Sequence, residues 1–265
     1  MLEHALQPDQ DAPRWDAHVT AYEKVFETLT DRFAEVALDG LEPLLGAALL
    51  DVGAGTGGAA IAAAGRGARV TAIDAAAGMV ARIRQRSPDI DARQQDGMAL
   101  ALPAMAFDRA LSCFGVVLFP EPARGMAELF RVLRPGGRVA IVTWTEPHRY
   151  DLARRLREAA GSDMPAAQLP AQLRFIDPIV LHSLVADSGF SDIRIERVEA
   201  SLTAPSARTL ASSLAFAPGM AAMLNGLGAA RAAIIDRFTT TLEADQGTGP
   251  VALPAVAHIA IATRP

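Results

Sequence analysis

Leu49-Leu50-Asp51-Val52-Gly53-Ala54-Gly55-Thr56-Gly57-Gly58 is the stretch on which the reading of this chain turns. The apolar run Ala48 to Val52 reads as a short strand. It ends in Gly53, Gly55, Gly57 and Gly58, ahead of a helical pattern over Ala59 to Arg66. Glycines at a strand-to-helix junction let backbone amides approach a ligand closely, beside the positive end of a helix.

The alternation continues on the C-terminal side. Arg69 to Asp74 reads as a strand, Gly78 to Arg86 as a helix ended by Ser87-Pro88, and Ile90 to Gln95 as a third strand. Phe107 to Phe114 makes a fourth strand and Pro122 to Leu133 a helix. Arg138 to Trp144 makes a fifth strand after the Pro135-Gly136-Gly137 turn. Strands alternating with helices pair in parallel through right-handed crossovers. The fold class is therefore α/β, a doubly wound, mostly parallel, Rossmann-like sheet, which Ile193 to Ala200 and Val256 to Ala262 complete to seven strands. Upstream, Val19, Tyr22, Val25, Phe26, Leu29, Phe33, Val36, Ala37 and Leu41 recur at helical steps, giving one or two amphipathic helices that Gly40 and Pro43 break. Beyond Trp144 the pattern is helical in pieces, interrupted by Pro165 and Pro170. Asp177-Pro178 then caps a helix that Gly189 ends. The expected organisation is an N-terminal helical cap over 1–45, a binding core over 46–148 and a helical insertion over 149–176. The rest of the core spans 177–265, with apolar lid helices at about 205–247 and the final strand.

Composition narrows the chemistry. The chain has 265 residues, 51% hydrophobic and 21% charged, which suits one elaborated domain or at most two. A net charge of −5 gives no electrostatic footprint for nucleic acid or an anionic membrane, and a homodimer is the protein partner to consider. Cys113, the single cysteine, excludes an intrachain disulfide and Cys-rich metal sites, so no metal is expected. Lys24, the single lysine, lies upstream of every glycine-rich turn, which excludes a P-loop. Met1 to Trp15 lacks the basic start and apolar run of a signal peptide, so a cytoplasmic location is expected. Thr209 to Ala230 carries no formal charge, yet Pro218-Gly219, Asn225-Gly226 and Gly228 make it two short apolar helices rather than a membrane span.

Gly53, Gly55 and Gly58 also satisfy the dinucleotide fingerprint, and Asp74 ends the second strand about 20 residues on, where a carboxylate accepts from ribose hydroxyls. A nicotinamide dinucleotide and another adenosine-bearing ligand both fit that pair. Asp51 separates them. An acid inside the first strand is expensive without a partner; it would repel a diphosphate and attract a cationic ligand. The Tyr-x-x-x-Lys pair of short-chain reductases is also impossible, because Phe26 and Arg154 stand four residues after Tyr22 and Tyr150.

Asp51-Val52-Gly53-Ala54-Gly55-Thr56-Gly57, the acid Asp74, Asp96-Gly97 and Leu133-Arg134-Pro135-Gly136-Gly137 resemble the successive motifs of class I S-adenosylmethionine-dependent methyltransferases. The resemblance is to the branch that includes ubiquinone and menaquinone biosynthesis enzymes. It covers about Leu49 to Trp144, and Ser188-Gly189-Phe190 extends it. Ala54 in place of a frequent Cys, and Ala75-Ala76-Ala77 in place of a more polar stretch, are departures that remove no side chain the cofactor needs.

The resemblance implies S-adenosyl-L-methionine as cofactor. Gly53, Ala54 and Gly55 would pass under its methionine and ribose, Thr56 and Gly57 would line the helix start, and Asp74 with Ala75 would hold the ribose. Met79 would pack on the adenine, Asp96 would accept from its amino group, and the Gly97-Met98 backbone would read the ring edge. Ser112, Cys113 and Phe114 would line the transfer site and Asp51 would lie near the cofactor's ammonium. Tyr22 would close over the methionine carboxylate, or is simply a core tyrosine.

Methyl transfer from a sulfonium is an in-line displacement with an activated leaving group, so orientation and water exclusion are the main tasks. His148, just past the fifth strand, stands where a catalytic base would sit, or is an exposed loop histidine. Phe216, Met220, Met223 and Leu224, with Trp144, would form an apolar wall suited to a hydrophobic or aromatic acceptor, or would simply pack the lid or make a dimer contact. The alternatives are an NAD(P)-dependent oxidoreductase and a non-catalytic cofactor-binding protein of the same fold.

Overall fold

The computed structural model describes residues 5–163 and 170–265. Pro165 and the part of the expected insertion at 164–169 lie outside the described residues. The chain begins with a 3-10 turn (Pro8–Gln10) and α1 (Ala12–Trp15); after a turn, α2 (Val19–Ala21) and a π-helical turn (Tyr22–Phe26) lead without a break into α3 (Glu27–Leu41). Then follow β1 (Ala48–Val52), α4 (Gly58–Gly65), β2 (Arg69–Asp74), α5 (Ala77–Arg86), β3 (Asp91–Gln94) and β4 (Phe107–Cys113). Next come α6 (Pro122–Val132), β5 (Leu133–Trp144), α7 (Asp151–Ala160), α8 (Pro178–Asp187) and β6 (Ser191–Ala204). The short helices α9 (Ala207–Ser212) and α10 (Pro218–Gly226), then α11 (Arg231–Gln246) and β7 (Val251–Thr263), complete the chain.

The seven strands form one sheet in the order β3-β2-β1-β4-β5-β7-β6. β1 pairs in parallel with β2 and β4, β2 with β3, and β4 with β5; β7 runs antiparallel between β5 and β6. The strand order reverses at β1 and β4, where ligands bind at the carboxyl ends of such sheets. Strand alternation divides the core between the two faces. Leu49, Leu111, Ala140 and Ile259 pack with α3, α4, α7 and α11 on one face, while Leu50, Val139, Ile141 and Ala260 pack with α6 and α8 on the other.

Four expectations change. Gly40 does not break the N-terminal helix: α3 runs through it to Leu41, and the glycine serves close packing on β7, since a Cβ there would lie 2.6 Å from Ile261 Cδ1. The amphipathic pattern hides a π-helical turn, whose wider winding brings both Tyr22 and Phe26 to the cavity described below. β5 starts at Leu133, absorbing the Pro-Gly-Gly segment, because Leu133 pairs with Phe107 and Gly136 N donates to Arg264 O (2.8 Å). β6 and β7 are longer than the alternation suggested and form a ribbon reaching Ala204 and Val251, with Pro254 paired to Ser201. Thr209 to Ala230 holds two short helices and a final 3-10 turn, as its glycines and proline required. No helix among the described residues is long and apolar enough to cross a membrane.

Candidate functional site

At the carboxyl ends of β1, β2, β4 and β5 lies a cavity of about 1040 Å³. Its roof is the N-terminal segment, fastened by polar contacts to three other elements. Asp9 Oδ1 accepts from Gly219 N at the start of α10 (2.6 Å), Asp16 Oδ1 from Gly78 N in α5 (2.7 Å), and Gln7 Oε1 from Ala171 N (2.7 Å). Burial raises the Asp9 carboxyl above the usual range. His18 donates Nδ1–H to Ala215 O (2.8 Å), a packing role.

One half of the cavity is made by the glycine loop and the ends of β2 and β3. Gly53, Gly55 and Gly57 all have positive φ (75°, 56° and 93°). At Gly53 a Cβ would lie 2.7 Å from Gly115 Cα, so the ends of β1 and β4 cross at two bare backbones. A Cβ on Gly55 would meet the Tyr22 ring at 3.3 Å, which places Tyr22 directly over the loop. Asp74 holds the loop from below: Oδ2 accepts from Gly55 N and Oδ1 from Ala76 N, each at 2.9 Å. Desolvation outweighs those two bonds and pushes its carboxyl up to about 6. Ala75, Met79, Asp96, Gly97 and Met98 line the same half. Asp96 turns Oδ1 onto Met98 N (2.8 Å), and Gly97 leaves room for the Phe119 ring.

Asp51 lies just behind this half, in a side cavity of about 20 Å³ that it shares with Ala54, Asp31, Glu27, Thr30 and Cys113. It is 1% exposed, and among the described residues neither carboxylate oxygen has a partner. Burial, and then the charges of Asp74 and Asp31, push it up to about 7.

The other half is aromatic and apolar. Phe114, held at φ 59°, stacks on Trp144 at 4.2 Å between centroids, and Trp144 stacks on Tyr150 at 4.9 Å. Phe26 stacks on Phe216 at 4.6 Å. Met220 and Met223 of α10 and Leu156 of α7 close the wall. A bulky residue at positive φ is costly and survives where the surroundings impose it, a pattern concentrated at functional sites.

The structure thus brings Tyr22, Gly53, Gly55, Asp74, Ala75, Met79, Asp96, Gly97, Met98, Cys113, Phe114, Trp144, Phe216 and Met220 around one cavity. It leaves four expected site residues, Thr56, Gly57, Ser112 and His148, off both cavities, and Leu224 of the expected apolar wall is buried away from them too. Thr56 is fully buried and gives its hydroxyl to Glu27, whose carboxylate also takes Gly58 N (3.1 Å) and the Arg86 guanidinium (2.7 and 2.8 Å). Gly57 faces the core, where a Cβ would lie 2.9 Å from Ile83 Cγ1. Ser112 Oγ donates to Val52 O (2.7 Å) and accepts from Val116 N (2.8 Å), tying β4 to β1. Gly115 lines the cavity beside it. His148 sits exposed on a single 3-10 turn (Pro147–Arg149) and does not line the cavity. Burial raises the Cys113 thiol well above its ordinary value, so it is no thiolate.

Sequence reasoning missed Trp15, Phe26, Phe119 and Tyr150, all lining the cavity, and the Glu27–Arg86 pair that locks the loop. Both tryptophans and both tyrosines of the chain face this one space, and such scarcity was the available signal.

A family profile described as a methyltransferase domain matches residues 50–141. Over 215 residues the chain is 30% identical to the demethylmenaquinone methyltransferase of Renibacterium salmoninarum, covering 75% of this chain and 91% of that protein. The chain belongs to the class I S-adenosylmethionine-dependent methyltransferases. This methyltransferase is also 32% identical over 145 residues to the demethylmenaquinone methyltransferase of Paenarthrobacter aurescens, over 53% of this chain and 57% of that one. Among solved structures, the phosphoethanolamine N-methyltransferase 2 of Haemonchus contortus in complex with S-adenosyl-L-methionine matches with a TM-score of 0.59 at 16% identity. That match covers 99% of this chain and 61% of that one. The cyclase SpnF matches with a TM-score of 0.55 at 24% identity, covering 89% and 81%. These likenesses show the fold alone, which does not by itself fix a reaction; the sequence relatives carry the family. S-adenosylmethionine is the cofactor of this methyltransferase. The cavity suits it: a bare-backbone cradle at Gly53, a strand-end carboxylate at Asp74, and an orphan acid at Asp51 for a cationic ligand.

Proposed function

We propose that this methyltransferase modifies a small, apolar, aromatic molecule held between Phe114, Trp144, Phe216 and Met220, with the cofactor on the Gly53, Gly55 and Asp74 side. The observation that carries the reading is the division of one cavity into a hydrogen-bonding half and an aromatic half that meet at Cys113 and Phe114. A cavity of about 1040 Å³ has room for a cofactor and an acceptor together, since single ligand pockets run from about 300 to 1,000 Å³. The demethylmenaquinone methyltransferases among the relatives support a flat, hydrophobic acceptor. The net charge of −5 supports a small molecule over a nucleic acid, and a cytoplasmic site of action fits a small-molecule enzyme.

The bound cofactor supplies an activated methyl group on a sulfonium. The chain supplies position. Asp74 would hold the ribose through the lone pairs its two backbone donors leave free, Tyr22 would cover the loop at Gly55, and Met79, Asp96, Gly97 and Met98 would surround the adenine. The rings of Phe26, Phe114, Trp144 and Phe216 would orient the acceptor and keep water from the line of transfer. Neither His148 nor Cys113 is placed or poised to take a proton, so the reading assigns no side-chain base.

The test is transfer of labelled methyl from S-adenosylmethionine to a panel of acceptors by the purified chain. The panel contains naphthols and reduced naphthoquinones, hydrophilic catechols, and amines. The reading expects label in the bicyclic apolar members; label confined to hydrophilic amines would contradict it.

A further inference from the structure

Two carboxylates line the small side cavity behind the glycine loop, and among the described residues neither has a hydrogen-bond or ion-pair partner. Asp51 projects from β1 with both oxygens buried and unpartnered. Asp31, on α3, lies against the first residue of α4, where a Cβ on Gly58 would come within 2.1 Å of Asp31 Oδ1; it makes no hydrogen bond or ion pair with the described residues. The third acid there, Glu27, is already satisfied by Arg86, Thr56 and Gly58. Tyr22 and Cys113, which also line the side cavity, are neutral, because burial pushes both upward. Among the described residues no three His, Cys, Asp or Glu side chains are grouped to hold a metal ion. Tyr22, Gly53 and Cys113 line both cavities, so the side cavity adjoins the cofactor half. At about 20 Å³ it admits one group the size of a water molecule, which is the size of an ammonium.

Resting on the cofactor reading above, we propose that Asp31 joins Asp51 in forming the subsite for the cofactor's ammonium group. We propose further that this pair carries one proton when the subsite is empty and releases it when the ammonium arrives. Asp51 is fully buried and Asp31 half-buried beside the same small space, so each charge disfavours the other and the two titrate as a pair. Burial, then Asp74 from β2 and Asp31 from α3, press on Asp51. Burial, Glu27 and Glu35 press on Asp31, and the opposing pull of Arg86 and Arg32 does not reverse the direction. The balance is one carboxylate, one carboxylic acid and one ammonium going to two carboxylates, the same ammonium and a proton in solvent. No bond to carbon changes. Cofactor affinity therefore rises with pH while the pair titrates, by up to about tenfold per pH unit for one released proton.

The experiment is calorimetric titration of the full chain with S-adenosylhomocysteine and with 5′-methylthioadenosine, which lacks the amino acid. Each is run near pH 6 in two buffers of different ionisation heat. We expect roughly one proton released per S-adenosylhomocysteine and none with 5′-methylthioadenosine. Asp31→Asn should lose most of the release and flatten the pH profile, while its affinity for 5′-methylthioadenosine stays within about twofold. The comparison of the two ligands on the unaltered chain decides the matter even if that variant folds poorly. S-adenosylhomocysteine binding without proton release, or equal release with both ligands, overturns the proposal and leaves the cofactor reading intact. Failure of both ligands to bind overturns the cofactor reading itself.

Discussion

The two halves of the cavity are made differently. The cofactor half is backbone and carboxylate: Gly53 and Gly55 at positive φ, amides fastened to Asp74, and residues that nearly all fall within one run from Asp51 to Met98. The aromatic half is side-chain surface, gathered from the π-helical turn, the ends of β4 and β5 and the segments that lead into α7 and α10, and held by ring stacking. A backbone cradle tolerates no added atom and is written in contiguous sequence. A wall of rings tolerates exchange of one apolar residue for another and is written in positions that meet only on folding.

That contrast can be broken most severely at Gly53. Gly53→Val places a Cβ against Gly115 Cα and forces a β-branched residue to φ 75°; S-adenosylhomocysteine affinity measured by calorimetry should fall by more than about 100-fold, with a lower melting temperature. Asp74→Ala removes a charged acceptor from the loop and from the cofactor, and the same titration should show a loss of about 10- to 100-fold, the range for a hydrogen bond or two to a charged group. On the other half, Phe216→Ala should leave cofactor affinity within about twofold while costing roughly 3–5 kcal/mol of stability in denaturant unfolding, because a 3% exposed ring is lost from its stack on Phe26. A large effect of Phe216→Ala on S-adenosylhomocysteine binding would erase the distinction between the halves.

The buried acid gives the contrast a pH signature. Asp51 titrates at about 7 in the fold and near 3.8 when unfolded, so the folded state binds the extra proton between those values. Stability of the ligand-free chain should fall as pH rises through that window, with the penalty complete above about pH 7. Melting temperature should therefore be a few degrees higher at pH 6 than at pH 8, and Asp51→Asn should shrink the difference, leaving the smaller part that Asp31 and Asp74, both pushed up to about 6, contribute. Equal melting temperatures would show that Asp51 finds a partner in solution. The smallest effect belongs to His148→Ala, which should change neither cofactor affinity nor melting temperature, as befits an exposed residue outside the cavity.

The two halves also differ in how far their residues can be read from sequence. The glycine loop, Asp74 and the Asp96-Gly97 turn could be read because each works through its own backbone or a fixed distance along one strand–helix unit. Asp177 could be read as a cap, and it does accept from Ile179 N (2.8 Å). Thr56 and Ser112 were read as ligand contacts because they sit in the right segments; only packing shows that their hydroxyls are consumed by Glu27 and by Val52 and Val116. Phe26 and Tyr150 were invisible as cavity residues because a π-helical turn leaves no mark in an apolar pattern and because Trp144 selects its stacking partner across a loop. The Glu27–Arg86 pair joins residues 59 apart in sequence, so no local spacing announces it.

On the reading proposed above, the Gly53–Asp74 half of the cavity holds S-adenosylmethionine. The most direct test of that reading is calorimetric titration of the unaltered chain and Asp74→Ala with S-adenosylhomocysteine, with NADH as the competing ligand. The account predicts saturable S-adenosylhomocysteine binding that Asp74→Ala weakens at least about tenfold, and no binding of NADH. Tight NADH binding, or S-adenosylhomocysteine affinity indifferent to Asp74, would contradict it.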